Sequence, residues 1–175
     1  MIKKIGIVVA VAVVIVLNLA VLKPNTLRVE RTVSIKAPPH KIFPLLNDLH
    51  AQNSWSPWEK KDPGMKRSFS GPSSGKGAVY EWDGNNEIGA GRLEITDTVP
   101  PAKVVMSLDF TRPMEGHNVA EFNLRPVVGA TEVTWSITGP MPFLSKLVSV
   151  FCNMDKMIGK EFEAGLADLK VLAEK

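Results

Sequence analysis

An uncharged apolar run near the start of the chain, Ile5 to Leu22, limits what its first part can form. As a helix, these 18 residues would extend about 27 Å at 1.5 Å per residue, close to the roughly 30 Å hydrocarbon core of a bilayer. Strands do not usually reach that length, and Lys23-Pro24 ends the run with a charge and a helix breaker. The run therefore predicts one transmembrane helix that contacts the lipid bilayer through residues 5–22. Residues 1–26 are interpreted as an anchor with its flank.

A cleaved signal peptide is the alternative interpretation of this segment. Against it, the run is longer than the roughly 7–15 apolar residues usual for a signal, and Asn18 to Leu22 has no small-x-small cleavage pattern. We therefore expect an uncleaved, single-pass anchor, in the cytoplasmic (inner) membrane if the protein is bacterial. Basic residues flank the run on both sides, so the positive-inside rule barely separates the two orientations. The short N-terminal segment before the run, with Lys3 and Lys4, is similar to that of signal-anchors, which keep the N-terminus in the cytoplasm and export the rest of the chain. This similarity predicts an extracytoplasmic domain.

The net positive charge of the chain belongs to the anchor segment. Residues 1–26 contain three lysines and no acid, which equals the formal net charge of +3. Removing these three from the 21 basic side chains leaves 18, matched by the 18 acidic ones of residues 27–175. A domain without net charge gives no support for binding nucleic acid, so we expect none among its partners. The sequence identifies no protein partner.

Residues 27–175 have the length of one domain, and their periodicity predicts an α+β fold. Apolar and polar residues alternate in Leu27–Lys36 and again in about six later segments divided by turn residues. Such short connections predict antiparallel strands joined by hairpins. Pro38-Pro39 opens a short helix after the first strand. From Pro142 to about Ala173 apolar residues recur every three or four positions, which predicts one long amphipathic helix.

A series of short motifs occurs in the same order as in a known superfamily. They are Ile35-Lys36-Ala37-Pro38-Pro39, Trp55-Ser56-Pro57-Trp58-Glu59, Gly75-Lys76-Gly77-Ala78, Gly89-Ala90-Gly91-Arg92-Leu93, Gly129-Ala130-Thr131-Glu132-Val133-Thr134-Trp135 and Gly159-Lys160-Glu161-Phe162. Together they resemble the START-like superfamily, also called SRPBCC or helix-grip, and within it the polyketide cyclase/dehydrase-like group. The resemblance implies a curved antiparallel sheet wrapped around the C-terminal helix, with an apolar cavity for lipids, polyketides or similar ligands. It does not select one activity, since such folds host both enzymes and carriers.

Aromatic, methionine and isoleucine side chains on the apolar faces of these elements, with two tryptophans of the second motif, are the candidates for ligand binding. They are Trp55, Trp58, Tyr80, Trp82, Met106, Phe110, Phe122, Trp135, Phe151, Met154 and Ile158. For most of them ordinary core packing is the alternative. Trp55 and Trp58 lie beside Pro57 in a loop, where a core role is least obvious, so they are predicted at the mouth of the cavity.

Three side chains are weak candidates for acid-base chemistry: Asp155, Glu94 and Tyr80. Asp155 borders the apolar stripe of the C-terminal helix, and a carboxylate facing an apolar cavity would have a raised pKa. Solvent exposure is the alternative that we favour. Glu94 lies on the polar face of its strand and could pair with Arg92 in a surface charge cluster. Arg31 interrupts the apolar face of the first strand and is interpreted as lying at the rim of the sheet, with a ligand-facing cation as the alternative.

Patterns for metal, nucleotide or nucleophilic chemistry do not occur in the sequence. The three histidines, His40, His50 and His117, lack the spacing of a helical metal site. No phosphate-binding glycine loop and no Gly-x-Ser-x-Gly elbow is found. Cys152 lies in an apolar stretch that favours a small buried side chain. We expect no metal and no cofactor.

The sequence leaves three functions open. The one we favour is a membrane-anchored module that binds a hydrophobic small molecule, lipid-like or polyketide-like, without catalysis. The second is an enzyme of the cyclase or dehydratase type that uses a cavity carboxylate or Tyr80. The third is an envelope module that binds other proteins through its sheet or the Trp55–Trp58 loop.

Overall fold

A computed structural model describes the chain from Ile2 to Lys175, with side chains from Lys4 onward. Within these residues, alternating apolar and polar side chains form seven strands, as a period of two requires. They are β1 (Thr26–Ile35), β2 (Lys66–Ser70), β3 (Val79–Asp83), β4 (Ala90–Val99), β5 (Lys103–Arg112), β6 (Gly116–Val127) and β7 (Ala130–Pro140). The helices are α1 (Ile2–Val21), α2 (Pro39–Asn47), α3 (Leu49–Gln52), α4 (Pro57–Lys61), α5 (Phe143–Phe151) and α6 (Met154–Ala173). The predicted α+β fold is thereby confirmed.

The strands form one antiparallel sheet in the order β1-β7-β6-β5-β4-β3-β2. From β2 to β7 each strand pairs with the next along the chain, as short turns require. β1 instead pairs with β7, from Thr26 opposite Pro140 to Ile35 opposite Thr131. Two register shifts between β4 and β5 bend the sheet, since a bulge adds local twist and curvature. The curved sheet therefore has a concave face on which the C-terminal helix lies.

α6 packs across this face against β1 and supplies much of the core. Phe162, Leu166 and Leu169 are buried at the spacing of one helix face. At Gly165 a Cβ would stand 2.9 Å from the Trp135 ring and 3.0 Å from Pro57. Because glycine has no side chain, α6 can approach both the sheet and α4 closely at this position.

The long C-terminal helix predicted from the apolar spacing is in fact two helices. Cys152 adopts an extended conformation, and the side chain of Asn153 accepts a hydrogen bond from the Lys156 N–H at 3.0 Å as the N-cap of α6. An asparagine side chain competes for backbone hydrogen bonds in this way, so a new helix begins where the apolar spacing continues. α5 leaves the sheet and packs against α1, and none of its residues is buried. Two predictions made for this segment, an unbroken helix and a buried Cys152, are wrong.

α1 has the character of a membrane span. Among the residues described, it is the one helix long and apolar enough to cross a bilayer, over Lys4–Val21. Almost none of that window is buried by the rest of the chain. Large apolar side chains such as Ile7 and Val8 are therefore exposed along its length. A signal sequence has the same length and composition, so the helix by itself fits either an anchor or a signal.

Candidate functional site

The space between the sheet and α6 holds a cluster of stacked aromatic rings. Trp135 on β7 lies parallel to Phe162 on α6, with ring centroids 4.0 Å apart and planes at 8°. On the sheet, Phe122 stacks on Trp135 at 4.9 Å. Trp55 and Trp58 each meet Trp135 edge to face at 5.6 Å. These rings join sheet, helix and loop directly, and they occupy the region where the family resemblance implied an open cavity.

Trp55 lies in this core. Its side chain is fully buried, and its indole Nε1 donates to the backbone carbonyl of Leu45 at 2.9 Å. Its predicted position at a cavity mouth is therefore wrong. Trp58 is half-buried because Pro57 begins α4 and this helix turns the Trp58 ring towards Phe162, 6.3 Å away. A role of either tryptophan in ligand binding stays a prediction.

A second row of rings crosses the β2–β5 side of the sheet. His50 stacks on Phe69 at 3.8 Å, Phe69 on Tyr80 at 5.0 Å, and Tyr80 on Trp82 at 5.9 Å. Phe110 then meets Trp82 edge to face at 5.7 Å. A small cleft of about 220 Å³ lies beside the outer end of this row, with His50 and Phe69 in its wall. The predicted residues Tyr80, Trp82 and Phe110 thus form one stack, separate from the Trp135 cluster.

The other core candidates are Met106 on β5 and Ile158 on α6. Met106 is fully buried on β5, where its sulfur accepts a 3.6 Å contact from the Gln52 amide. Ile158 on α6 is partly buried and packs against the core. Both contribute to the apolar interior.

Three buried polar atoms lack a hydrogen-bond partner among the described residues: Trp82 Nε1, Trp135 Nε1 and Asn47 Oδ1. An unpaired buried donor or acceptor costs about 1–3 kcal/mol. Both indole N–H groups belong to the aromatic clusters, where an oxygen of a bound molecule or a water would satisfy them.

A larger cleft of about 580 Å³ lies where α1 meets the rest of the chain. Its walls come from the segment that follows α1, the start of β1, Met141 and the α5–α6 junction. The lining residues are Lys23, Pro24, Thr26, Leu27, Arg28, Met141, Ser149, Val150, Phe151, Cys152, Asn153 and Met154. The lining of this junction cleft mixes polar and apolar side chains, and it includes two cations and no carboxylate. Phe151 and Met154 are the only two of the predicted binding residues in its lining.

Phe151 differs from the position expected for it. The residue is 73% exposed because α5 ends there and the chain turns away before α6. The apolar spacing correctly marked it as part of a helix stripe, but that stripe does not face the sheet. The structure therefore separates Phe151 and Met154 from the aromatic interior and places them in the junction cleft.

Arg31 lies on β1, the edge strand, as predicted, and its side chain reaches across to α6. Its Nη1 and Nη2 donate to the two oxygens of Asp155 at 3.0 Å each, and its Nε donates to Glu163 at 2.7 Å. These hydrogen bonds from Arg31 hold the pKa of Asp155 below its usual range. Solvent exposure of Asp155, the interpretation we favoured, is confirmed, and the raised pKa needed for a proton donor is contradicted.

Tyr80 belongs to a series of hydrogen-bonded polar side chains that the sequence did not reveal. Its hydroxyl donates to Glu59 Oε1 at 2.6 Å, and Glu59 Oε2 accepts from Arg67 Nε at 2.7 Å. Burial, and then the hydrogen bond to Glu59, raise the pKa of Tyr80 above its ordinary value. The phenol is a neutral hydrogen-bond donor here. Only the placement of Glu59 on α4, 21 residues away in sequence, brings the pair together.

Glu94 takes part in the predicted charge pair. Arg92 Nη2 lies 2.6 Å from Glu94 Oε2, and both side chains are partly exposed. Among the described residues, no three His, Cys, Asp or Glu side chains gather where they could hold a metal ion.

Comparisons with known proteins agree with this architecture. A family model described as polyketide cyclase/dehydrase and lipid transport matches residues 26–174. Protein CV1439 from Chromobacterium violaceum has a similar structure, with a TM-score of 0.59, 17% identity, and 87% of this chain and 99% of that chain covered. Major latex-like protein 151 from Panax ginseng matches with a TM-score of 0.61, 14% identity, and 85% and 97% covered.

A third similar structure is the di-domain ARO/CYC BexL from the BE-7585A biosynthetic pathway. Its TM-score is 0.61 at 14% identity, over 90% of this chain and 53% of that one. At these identities the likeness concerns the fold alone. No curated protein matches the chain. The family model, in contrast, covers almost all of the chain beyond α1, and the order of strands and helices agrees with the helix-grip fold. The chain therefore belongs to the polyketide cyclase/dehydrase and lipid transport family.

Proposed function

We propose that this protein is a membrane-anchored module that binds a lipid-like amphiphile in the junction cleft. The observation that carries the proposal is the cleft itself. Its volume of about 580 Å³ is within the range of small-molecule sites, and it opens beside the end of the apolar helix α1. The family supplies the class of ligand, since its description joins polyketide chemistry with lipid transport.

The lining of the cleft favours an amphiphile with an acidic head. Leu27, Met141 and Met154 offer apolar contact, while Lys23 and Arg28 offer positive charge. Arg28 already pairs with Glu30 at 2.6 Å on an exposed surface, so this pair can exchange partners at little cost. A carboxylate or phosphate head would contact these cations, and its chain would lie against the apolar wall.

The anchor would raise the local concentration of such a ligand. If α1 spans the bilayer, the cleft at its C-terminal end is held at the membrane surface at all times. A ligand that partitions into lipid then reaches the cleft from a membrane reservoir. This reasoning favours an uncleaved α1, which intact-mass measurement of the protein purified from membranes would test directly.

The aromatic interior is the alternative location for the same ligand. The two unpaired indole N–H groups, on Trp82 and Trp135, would each donate to a ligand oxygen. Binding there requires the rings around Trp135 to move apart, since Trp135 and Phe162 are in stacking contact. The junction cleft requires no such rearrangement, which favours it.

A cyclase or dehydratase activity is the second candidate, and one observation favours it. Tyr80 and Glu59 form a partly buried phenol–carboxylate pair next to a row of aromatic rings. The raised pKa of Tyr80 weakens it as a proton donor near neutral pH, which weighs against this role. If a Tyr80→Phe variant keeps full ligand affinity and whatever turnover the native chain shows, Tyr80 is not a catalytic residue and this second candidate is refuted.

The experiment that tests binding uses the full chain in lipid nanodiscs with a diazirine-labelled fatty acid. After irradiation, mass spectrometry locates the crosslinked peptides. We expect label on the segment 149–154 outside α1, and a reduction of roughly tenfold in the Lys23→Gln/Arg28→Gln variant. A neutral diazirine alcohol of the same length should lose little in that variant.

Three controls separate the possible outcomes. Lys41→Gln, an exposed change on α2 outside the cleft lining, should leave labelling unchanged. Label on Trp135 and Phe162 peptides, insensitive to Lys23 and Arg28, would move the site to the interior. Labelling of α1 alone, as for any membrane protein, would contradict a binding function for the domain.

A further inference from the structure

The apolar face of α5 points away from the rest of the chain. Phe143, Leu144, Val148 and Phe151 are 50%, 56%, 42% and 73% exposed. Their spacing places them on one side of the helix, within about 140° at 100° per residue. Amphipathic helices in water-soluble folds bury this side. In α5 it is uncovered, which is the reverse of the arrangement in α6.

α5 lies against the end of α1 that would be nearest the membrane surface. Ala20, in the last turn of α1, is completely buried, and Val16 one turn earlier is half-buried, on the side where α5 packs. The connection is reinforced beyond α1, because the Met141 N–H donates to the carbonyl of Asn25 at 2.8 Å. Lys146 Nζ on α5 also donates to the Asn25 side chain.

The depth of α5 follows from this packing. If α1 crosses the bilayer over Lys4–Val21, its last turn lies at the boundary between acyl chains and headgroups. A helix that packs on Val16 and Ala20 lies at that same depth. It cannot present its apolar side to bulk water and at the same time accompany α1 into the interface.

The charges in and near α5 also favour a position at the membrane interface. Residues 142–152 contain one charged side chain, Lys146, and no acid. Lys23 and Arg28 lie close by in the junction cleft. A short apolar face flanked by cations is typical of helices that lie in the interface of a membrane containing anionic lipid.

We propose that α5 is an interfacial membrane helix whose exposed face, Phe143, Leu144, Val148 and Phe151, inserts into the bilayer that α1 crosses. The proposal rests on the anchoring of α1 in the proposed function. It also explains how a ligand reaches the junction cleft. Val150, Phe151 and Cys152 belong both to the end of α5 and to the cleft lining, so the cleft opens at the level of the lipid. A ligand enters sideways from the membrane without passing through water.

The single cysteine of the chain provides the test. Cys152 is exposed at the end of α5, next to Phe151, and takes an environment-sensitive fluorophore without any mutation. The full chain is labelled and reconstituted in vesicles of phosphatidylcholine with phosphatidylglycerol. Quenching by lipids with a nitroxide near the headgroup is compared with quenching by aqueous iodide.

The matched control carries the same label at the opposite end of the sheet. Val128→Cys in a Cys152→Ser background places it in the fully exposed β6–β7 turn. β7 separates this turn from Met141 by 11 residues, or about 33 Å. We expect strong lipid quenching and weak iodide quenching at Cys152, and the reverse at position 128. Leu144→Ser/Val148→Ser should increase iodide quenching at Cys152 severalfold, while α1 keeps the protein in the vesicles.

The outcomes separate the two proposals. If the labelled protein floats with the vesicles but Cys152 is quenched only by iodide, α5 lies in water and this inference is overturned, while anchoring stands. If Cys152 is shielded from both quenchers, a protein partner or a second copy covers the face, which also overturns it. If the protein does not float, the anchor of the proposed function has failed. Crosslinking to a fatty acid is measured separately, and its loss in the Lys23→Gln/Arg28→Gln variant tests the junction cleft whether or not α5 lies in the bilayer.

Discussion

Arg31 and Asp155 are 124 residues apart in sequence and form a two-point ion pair between β1 and α6. The Arg31 guanidinium also donates to the backbone carbonyl of Asp155 and to the carboxylate of Glu163, two turns further along the helix. One side chain thus fixes the first turns of α6 on the edge strand. It does so directly after the break at Cys152-Asn153, where the chain leaves α5. The ion pair therefore holds the start of α6 against β1, in addition to the buried apolar contacts of the helix.

Gly159→Ala should change stability in opposite directions with and without Arg31. Alanine is a better helix former than glycine by about 1 kcal/mol. In the native chain, however, a Cβ at position 159 would overlap the Arg31 guanidinium, so we expect the variant to lower the denaturation midpoint. In an Arg31→Ala background the overlap disappears, and the same change should stabilise by about 1 kcal/mol.

The measurement is denaturant unfolding of four proteins: the native chain, Gly159→Ala, Arg31→Ala and the double variant. Ala167→Gly, at an exposed position of α6, is the control and should destabilise by about 1 kcal/mol in both backgrounds. An equal effect of Gly159→Ala in both backgrounds would show that Arg31 does not occupy the space beside this glycine.

Acid should weaken the attachment of α6. Arg31 holds the pKa of Asp155 below its ordinary value, and Lys170 with the Lys36 N–H does the same for Glu174. A carboxyl group with a depressed folded-state pKa stabilises the fold above its unfolded pKa, near about 4. That stability is lost as the pH falls from there through the folded-state pKa.

The melting temperature of the full chain, followed from about pH 7 to about pH 3, should show this loss. Asp155→Asn should melt lower at neutral pH and fall less steeply in acid than the native chain. Asp97→Asn, on an exposed carboxylate that forms no ion pair among the described residues, should follow the native curve. Parallel curves for Asp155→Asn and the native chain would contradict the assignment.

Phe162→Ala should be strongly destabilising. Phe162 is fully buried and stacks on Trp135 at 4.0 Å, so its removal leaves a cavity between sheet and helix. Large-to-small changes of buried aromatic residues cost about 3–5 kcal/mol. Chemical denaturation monitored by far-ultraviolet circular dichroism should show this loss. Val171→Ala, an exposed change on the same helix, should stay within about 0.5 kcal/mol.

Tyr80 should resist ionisation until the protein unfolds. It is the only tyrosine of the chain, so the ultraviolet absorbance of tyrosinate reports it alone. Because burial and Glu59 raise its pKa, we expect no tyrosinate in the folded chain near pH 10, where free tyrosine ionises. The stability that this raised pKa contributes is complete below about pH 10 and is lost as the pH rises towards the folded-state pKa.

Glu59→Gln provides the comparison for this titration. It removes the negative charge beside the phenol, so tyrosinate should form at lower pH than in the native chain. Glu81→Gln, on an exposed residue of β3, should leave the titration unchanged. A native Tyr80 that ionises like free tyrosine while circular dichroism still shows the fold would refute the buried pair.

Local patterns predicted the strands well and the helix break poorly. The sheet follows from period-two alternation and short turns, both of which act over a few residues. The apolar spacing, in contrast, runs through Cys152 and Asn153 without interruption, so periodicity alone predicted one helix. The available signal was Asn153, since asparagine caps helices more readily than it continues them.

The sequence predicted which residues belong to the candidate site better than it predicted how they are arranged. The aromatic residues were correctly assigned to apolar faces, but their division into a Trp135 cluster and a Tyr80 row depends on which strands are neighbours. Glu59 gave no signal in the sequence, because its partners Tyr80 and Arg67 reach it only through the fold. The lining of the junction cleft likewise combines segments more than 100 residues apart.

The sequence by itself determined the apolar helix α1, the antiparallel sheet and the family, because alternation, turn residues and an ordered series of motifs are local properties of the chain. The tertiary structure decided what each apolar face touches. α6 covers the sheet with Phe162 against Trp135, whereas α5 turns towards α1 with Phe151 exposed. The physical reason is that periodicity fixes the direction of side chains around a helix axis, while long-range packing and the Arg31–Asp155 pair fix where that axis lies.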